Sequence, residues 1–213
     1  MTPRLIVLDV DSTLITSEVI EMIAARAGTE AEVAAVTEAA MRGEIDFAAS
    51  LRQRVATLAG VPDTVFADVV DEVRFTPGAE QLVSTLQARG WTAALVSGGF
   101  AEIVAPLAAR IGITLFRANR LEVADGRLTG RTEGPVIDRA AKARTLLEYC
   151  EQLGVDPADA VAVGDGANDL DMMAAAGLGI AFNAKPVVQQ QADAAVNEPS
   201  LLAVLEVIDA TDR

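Results

Sequence analysis

Four short apolar runs stand out along the chain, at residues 5–8, 92–96, 161–163 and 178–182. Their hydrophobic residues do not alternate with polar ones, which is typical of parallel strands covered on both faces. Stretches with apolar residues at helical spacing separate these runs, at 79–89, 101–110 and 140–153. This alternation predicts an α/β fold with a doubly wound, mainly parallel sheet.

The interval 17–74 breaks this pattern, because it holds several helical stretches and no convincing strand. Turn-forming residues bound it at Ser17 and at 76–78. We therefore predict an α/β core from residues 1–15 and 76–213, with an inserted helical cap at 16–75. A smaller feature at 119–132, with Asp125-Gly126 at its centre, predicts a β-hairpin.

Two carboxylates, Asp9 and Asp11, directly follow the first apolar run. Since successive side chains of a strand alternate between faces, residues i and i+2 are expected to point the same way. Two carboxylates held close together raise at least one of their pKa values unless a cation lies between them. The simplest such cation is Mg²⁺, which prefers oxygen ligands.

Polar clusters also follow the second and third runs. The second is followed by a Ser-Gly-Gly turn at 97–99, and the third by a Gly-Asp-Gly-Ala-Asn-Asp segment at 164–169. Ligands of open α/β sheets bind outside the carboxyl ends of the strands. We therefore expect these clusters to converge on one edge of the sheet, where Lys142 reaches them from the start of the preceding helix.

Composition excludes several other kinds of site. A formal net charge of −14 and 4% aromatic residues argue against nucleic-acid binding, which needs a basic surface and stacking side chains. The chain has no histidine, which removes His-based nucleophile triads and His-ligated zinc, and Cys150 alone cannot form an intrachain disulfide. There is no signal-peptide pattern and no apolar run long enough to span a membrane, so a cytoplasmic location is predicted, as monomer or homodimer.

Four motifs in order carry a family resemblance: Asp-Val-Asp-Ser-Thr at 9–13, Ser97, Lys142 and the segment 164–169. Together they resemble the haloacid dehalogenase superfamily of phosphotransferases, which has a Rossmann-like core. Within it the chain is similar to the phosphoserine phosphatase family, over 9–21, 47–55, 96–100, 118–130 and 161–169. Such enzymes often carry an N-terminal regulatory domain. Because the first strand begins near residue 4, we expect none here.

The catalytic roles follow from the chemistry and from the resemblance. Asp9 is expected to be the nucleophile that forms an aspartyl-phosphate. Asp11 is expected to protonate the leaving serine oxygen and then to take a proton from the hydrolytic water. The Ser97 hydroxyl and the Gly98 N–H are expected to donate to phosphate oxygens, and Lys142 to stabilise the charge shared by Asp9 and the phosphoryl group.

The predicted Mg²⁺ site consists of the Asp9 carboxylate, the Asp11 main-chain oxygen and Asp165. Asp169 and Asn168 are expected to orient the metal ligands and the phosphate, with Asp169 behind the metal ligands and Asn168 at the phosphate.

Substrate choice is expected to come from the cap. Phosphoserine carries an ammonium and a carboxylate besides its phosphate. The resemblance implies that Glu18 pairs with the ammonium, that Arg54 holds the carboxylate with two hydrogen bonds, and that Phe47, with Met41, excludes water. Glu18 and Arg54 also have ordinary explanations, since an acid suits a first helical turn and surface arginines are common.

Three alternatives remain open. A phosphatase with the same mechanism could act on phosphohomoserine or phosphothreonine instead. A receiver-like signalling domain also has acids after its first strand, but an inserted cap and the additional acids at 165–169 disfavour it. A halide-releasing dehalogenase does not need the acid at Asp11.

Overall fold

The computed structural model describes residues 4–41 and 45–211, which form a mixed α/β fold around one seven-stranded sheet. The strand order is β4-β3-β2-β1-β5-β6-β7, and every neighbouring pair is parallel except β3–β4. The doubly wound, mainly parallel sheet predicted from the sequence is confirmed. The strands are β1 (Leu5–Leu8), β2 (Thr92–Phe100), β3 (Leu115–Ala124), β4 (Arg127–Glu133), β5 (Ala160–Gly164), β6 (Leu178–Phe182) and β7 (Ala194–Val196).

Helices pack on both faces of this sheet and in the segment between β1 and β2. Those before β2 are α1 (Val19–Ala27), α2 (Glu30–Met41), α3 (Phe47–Ala56), α4 (Val65–Glu72) and α5 (Ala79–Ala88). The later ones are α6 (Ala101–Arg110), α7 (Arg139–Leu153), α8 (Leu170–Ala175), α9 (Pro186–Gln189) and α10 (Leu202–Thr211). In the described part of the chain, no helix has the length and apolar character needed to cross a bilayer.

The centre of the sheet is fully buried, which explains its uninterrupted apolar runs. All four residues of β1 have no exposed surface, and β1 lies between β2 and β5. In register, Leu8 lies opposite Leu95 on one side and Val163 on the other. Strands β1 and β5 therefore end nearly level, and β2 continues past that level into its 97–99 segment, so the residues after Leu8, Val96 and Gly164 meet at one edge.

Helices α1 to α4 occupy the interval that the sequence assigned to a cap. Its two connections to the sheet run side by side: the Thr16 N–H donates to the Arg74 carbonyl at 3.1 Å, and the Thr76 N–H donates to the Leu14 carbonyl at 2.9 Å. The Thr76 hydroxyl also donates to the Thr13 carbonyl at 2.7 Å. This pairing holds both connections together next to the turn that carries the acids. The domain boundary at 16–75 stays a prediction.

The β3–β4 hairpin forms a third contact between the sheet and the helical segment. The Gly60 N–H donates to the Leu128 carbonyl at 2.8 Å, and the Leu128 N–H donates to the Val61 carbonyl at 2.9 Å. The Asp63 N–H donates to the Gly126 carbonyl at 3.0 Å. The far end of α3 is thus attached to the core by main-chain hydrogen bonds.

Three strand predictions need correction. Strand β2 continues past Val96 to Phe100, because small residues extend it where no apolar signal remains. The hairpin is longer than predicted, since β3 begins at Leu115 and first pairs parallel with β2 before it pairs with β4. The three-residue edge strand β7 was not predicted, because so short an alanine-rich segment carries almost no periodicity.

The buried contact between the two cap connections generates a stability prediction. Thr76→Val keeps the shape of the side chain but removes its donor to a buried carbonyl, so we expect a loss of about 1–2 kcal/mol in the free energy of unfolding. The measurement is urea unfolding followed by circular dichroism.

Thr16→Val is the matched control, because the Thr16 hydroxyl donates to the Arg74 carbonyl at 3.4 Å from an exposed position. Its expected cost is below about 0.5 kcal/mol. Equal losses in the two variants would show that the buried bond does not stabilise this junction.

Candidate active site

Asp9 is the first residue after β1, and its backbone is still held by the sheet. The Asp9 N–H donates to the Val163 carbonyl of β5 at 2.9 Å, and the side chain is buried. The chain then turns sharply through residues Val10–Leu14, where Ser12 has a φ of +57°. The Leu14 N–H closes this turn by donating to the Asp9 carbonyl at 3.3 Å.

Asp11 lies in this turn and not in the strand, so the strand alternation given above as the reason for its direction is wrong. The strand ends at Leu8, and the left-handed backbone at Ser12 redirects the chain. Asp11 nevertheless lines the same cleft as Asp9. Its Oδ1 accepts a hydrogen bond from the Val19 N–H at the start of α1 at 3.0 Å, which ties it to the helical segment.

Lys142 reaches the acids from the first turn of α7, which begins after the capping residue Asp138. Its Nζ donates to Asp9 Oδ1 at 2.5 Å and to Asp169 Oδ1 at 2.7 Å. Lys142 has no exposed surface. A buried ammonium between two buried carboxylates satisfies charges that would otherwise be very costly to remove from water.

The residues after β5 form a compact turn around Asp169. The Asp169 Oδ2 atom accepts the Gly166 N–H at 3.0 Å, and a Cβ on Gly164 would lie 2.4 Å from Asp169 Cγ, so only glycine fits there. Asp165 accepts a hydrogen bond from the Thr13 hydroxyl at 3.3 Å. Asn168 follows in the same turn and lines the cleft.

The Ser-Gly-Gly segment after Val96, in the last part of β2, lies against the acids and the helical segment. A Cβ on Gly99 would lie 2.6 Å from Asp11 Oδ2, and one on Gly98 would lie 3.3 Å from the Phe47 ring. Ser97 is fully buried, and its Oγ accepts the Gly99 N–H at 2.8 Å. These close approaches explain why this segment consists of serine and glycine.

Sequence reasoning missed Asn119, a buried residue of β3. Its Nδ2 donates to the Gly98 carbonyl at 2.8 Å, and its Oδ1 accepts the Ile137 N–H at 2.7 Å. A polar residue inside a strand is the one sequence signal that could have indicated such a contact, but it lay in a segment interpreted as a surface hairpin.

The helical segment supplies the other side of the cleft. Glu18 Oε1 accepts the Ser12 hydroxyl at 2.5 Å, and Arg54 Nε donates to the Ser50 carbonyl at 3.4 Å. The Met41 side chain lies outside the described residues. The cleft has about 580 Å³ of empty space including its open mouth. It is lined by Asp9, Asp11, Glu18, Ile20, Phe47, Leu51, Arg54, Gly98, Gly99, Phe100, Asp165 and Asn168.

The structure thus brings the sequence-predicted residues together in two layers. Three of the chosen residues are fully buried behind the cleft: Ser97 accepts from Gly99, Lys142 donates to Asp9, and Asp169 accepts from Lys142. The other eight line it: Asp9, Asp11, Glu18, Phe47, Arg54, Gly98, Asp165 and Asn168.

Burial, together with neighbouring negative charges, raises the pKa values of the acids in the cleft. Burial, and next the Glu18 carboxylate, raises the pKa of Asp11 to about 7. Burial, and next Asp169, raises the pKa of Asp165 to about 6. Burial also raises the pKa of Asp9 well above its usual range, even though Lys142 opposes the shift. Burial alone would lower the pKa of Lys142, but Asp169 and Asp9 raise it above its usual value.

The pKa of Arg54 is lowered, whereas those of the acids are raised. Burial lowers the pKa of its guanidinium, while Glu18 and Asp11 counteract that shift. An arginine keeps its charge under such conditions, so it remains available to an anionic ligand.

These groups fit a divalent cation. One carboxylate oxygen each from Asp9, Asp165 and Asp169 lies within 4.8 Å of the others. Burial and, to a lesser degree, repulsion from neighbouring acids raise the pKa values of Asp9 and Asp165, and a cation would relieve that repulsion. Both Asp169 oxygens already accept hydrogen bonds, from Lys142 and from the Gly166 N–H. Asp169 is therefore suited to orienting Lys142 and the turn after β5 behind the candidate metal ligands.

Comparison with known proteins gives concordant findings. The model of the haloacid dehalogenase-like hydrolases matches residues 6–174. A phosphoserine phosphatase of Mycobacterium tuberculosis is 54% identical over 210 residues, which cover 99% of this chain and 51% of that protein. A phosphoserine phosphatase of Streptococcus thermophilus is 47% identical over 209 residues, which cover 98% of this chain and 97% of that protein.

A solved structure described as a phospho-aspartyl intermediate analogue of phosphoserine phosphatase superposes with a TM-score of 0.92. It is 40% identical in sequence, and the match covers 97% of this chain and 99% of that one. The chain spans about half the length of the first curated relatives that it matches, at 51% for each.

The buried lysine generates a prediction about stability. Lys142→Met removes the cation from between Asp9 and Asp169, so we expect a loss of about 3–5 kcal/mol in the free energy of unfolding at pH 7. The pKa of Lys142 is raised in the folded chain. The stabilisation that its charge provides is therefore fully present below about pH 10.4, the pKa of a lysine in the unfolded chain. The measurement is urea unfolding in the presence of a chelator.

The deficit of this variant in the free energy of unfolding should narrow as the pH falls. Burial raises the pKa of Asp9, and protonation of Asp9 removes a negative charge that Lys142 no longer balances. The exposed Lys185, the second lysine of the chain, provides the control, and Lys185→Met should cost less than about 0.5 kcal/mol. A deficit for Lys142→Met that is the same at pH 5 and pH 7 would contradict the electrostatic explanation.

Proposed function

The chain belongs to the haloacid dehalogenase-like hydrolase family, and we propose that it hydrolyses O-phospho-L-serine to L-serine and phosphate. The observation that carries this proposal is the division of the cleft. Asp9, Asp11 and Lys142 supply phosphoryl-transfer chemistry on the sheet side, while Glu18 and Arg54 supply opposite charges on the cap side. The matched relatives named phosphoserine phosphatase support the choice of substrate.

In the first step an Asp9 carboxylate oxygen attacks phosphorus and the bond from phosphorus to the serine oxygen breaks. The leaving oxygen takes a proton from the Asp11 carboxyl, which is available because burial and Glu18 raise the pKa of Asp11 to about 7. The products are free serine and an aspartyl-phosphate at Asp9.

In the second step water attacks the phosphorus of the aspartyl-phosphate. Asp11, now a carboxylate, takes the proton from this water, and the bond between phosphorus and the Asp9 oxygen breaks. Phosphate leaves, Asp9 is restored as a carboxylate and Asp11 is again protonated. A pKa about 7 suits both roles of Asp11, since donor and acceptor forms are both populated near neutral pH.

The remaining polar groups stabilise charge on the phosphoryl oxygens. Lys142, already bonded to Asp9, holds a fixed positive charge beside the reacting atoms. The Ser97 hydroxyl, the Gly98 N–H and the Asn168 amide are the proposed donors to these oxygens. Ser97 and Gly98 lie in the last part of β2, and Asn168 lies in the turn that follows β5.

The proposed ligands of a divalent cation, most simply Mg²⁺, are the Asp9 carboxylate, the Asp11 main-chain oxygen and Asp165, with Asp169 behind them. The proximity of carboxylate oxygens from Asp9, Asp165 and Asp169 supports this site. When bound, the cation would neutralise negative charge on the phosphate and on Asp9.

The cap is proposed to select the amino acid. Glu18 pairs with the substrate ammonium, and the Arg54 guanidinium holds its carboxylate. Phe47 covers the Gly98 turn and limits access of water. Phosphohomoserine and phosphothreonine carry the same charged groups, so they are the closest competing substrates. A cytoplasmic location and the lack of nucleic-acid or membrane partners remain predictions from composition.

Phosphate release from a panel of esters tests the proposal. We expect O-phospho-L-serine to give the highest kcat/KM among phosphoserine, phosphothreonine, phosphohomoserine and p-nitrophenyl phosphate. A chelator should abolish turnover and added Mg²⁺ should restore it. Negligible phosphate release from phosphoserine, alongside rapid release from another ester, would overturn the assigned substrate.

The carboxylate contact is tested separately with Arg54→Ala. This variant should lower kcat/KM for phosphoserine by roughly 100-fold, the value of a lost charge-assisted pair, and leave p-nitrophenyl phosphate nearly unchanged. Arg52→Ala is the matched control, because Arg52 lies on the same helix and is exposed. Equal losses on both esters would mean that Arg54 does not recognise the amino-acid carboxylate.

A further inference from the structure

The phosphate-facing turn at 97–99 lies where regular strand pairing is interrupted. The parallel register between β2 and β3 shifts between Val96 and Phe100, and beyond the shift Phe100 pairs with Asn119. A break in a ladder leaves backbone groups that need other partners. The buried side chain of Asn119 supplies one of them, since its Nδ2 donates to the Gly98 carbonyl at 2.8 Å.

One peptide unit of this turn is held at both ends. Its carbonyl, from Gly98, accepts from Asn119, and its N–H, from Gly99, donates to Ser97 Oγ at 2.8 Å. The C=O and N–H of a trans peptide point in opposite directions, so the contact at one end sets the direction of the other. Because Ser97 Oγ accepts the Gly99 N–H, its own hydrogen is left to donate elsewhere.

The other end of the Asn119 amide is also occupied. Its Oδ1 accepts the Ile137 N–H at 2.7 Å, just before the capping residue Asp138 of α7. An N–H on one side and a carbonyl on the other leave only one sensible amide orientation. Asn119 therefore connects the turn that carries Ser97 to the segment that leads into the helix of Lys142.

We propose that Asn119 is a positioning residue for phosphate recognition: it orients the Gly98–Gly99 peptide so that the Ser97 hydroxyl donates to the phosphoryl group. This inference rests on the proposed phosphomonoester hydrolysis at this cleft. It concerns the phosphate side of the substrate, so its effect is independent of the amino-acid moiety that Glu18 and Arg54 contact.

Asn119→Asp is the sharpest test, because it keeps the acceptor for the Ile137 N–H and removes the donor to the Gly98 carbonyl. At pH 7.5 kcat/KM for phosphoserine and for p-nitrophenyl phosphate should fall by the same factor, roughly tenfold, the value of one hydrogen bond. The ratio of the variant's kcat/KM to that of wild type at the same pH should rise again toward pH 5.5. Burial favours the protonated form of the introduced carboxyl, which can donate a hydrogen bond to the Gly98 carbonyl.

A double-mutant cycle with Ser97→Ala separates positioning from general damage. If Asn119 acts through Ser97, Asn119→Asp should cost far less in the Ser97→Ala background than in wild type. The control is Asn183→Asp, since the Asn183 Nδ2 also donates to a backbone carbonyl, that of Glu198 at 2.9 Å, but from an exposed position. Its kcat/KM should equal that of wild type.

Three results would overturn the proposal: a folded Asn119→Asp variant within twofold of wild type on both esters, a loss confined to phosphoserine, or additive effects with Ser97→Ala. If Asn119→Asp does not fold at pH 7.5, Asn119→Ala, which buries no charge, replaces it in the same double-mutant cycle, and additivity there counts against the proposal.

If wild type hydrolyses only the aryl ester, the assigned substrate is wrong, and kcat/KM for that ester alone decides the role of Asn119. If wild type hydrolyses neither ester, both proposals fail.

Discussion

The buried contact of Lys142 with Asp9 and Asp169 is the interaction on which the rest of the site depends. Each partner comes from a different part of the fold, since Asp9 follows β1, Asp169 follows β5 and Lys142 begins α7. Burial raises the pKa values of Asp9, Asp11 and Asp165, and the acids that one ammonium cannot balance raise them further. The remaining charge imbalance favours a divalent cation, while burial and Glu18 allow Asp11 to hold a proton near neutral pH.

The reactive groups and the residues proposed to select the substrate come from different parts of the fold. The level ends of β1 and β5, with the 97–99 segment of β2 beside them, bring the reactive groups together. The packing tolerates no side chain at Gly99 or Gly164, where a Cβ would lie within 2.6 Å of an acid. The helical segment contributes Glu18, Phe47 and Arg54 from the opposite side of the cleft. Under the proposed function, substitutions at Phe47 and Arg54 would change which ester is accepted, whereas Glu18 also raises the pKa of the reactive Asp11.

Much of the fold could be predicted from the sequence, and the limits have physical causes. The buried strands at 5–8 and 178–182 were predicted with their observed bounds, because apolar runs covered on both faces give a strong signal. The direction of Asp11 was predicted for the wrong reason, since periodicity cannot show that a strand ends at Leu8 and that Ser12 turns left-handed. Asn119 was missed because its role depends on a break in pairing that only three-dimensional register reveals. The assignments of Glu18 and Arg54 came mainly from family resemblance, because isolated charged residues on helices carry no signal of their own.

The most direct test of the account is to identify the residue that carries the phosphoryl group during turnover. The chain is mixed with O-phospho-L-serine, quenched in acid after a few milliseconds, reduced with borohydride and mapped by peptide mass spectrometry. Reduction converts an aspartyl-phosphate to homoserine, and the account predicts that this change occurs at position 9 and disappears in Asp9→Asn. Modification at position 11, or steady turnover by Asp9→Asn with no trapped residue, would contradict it.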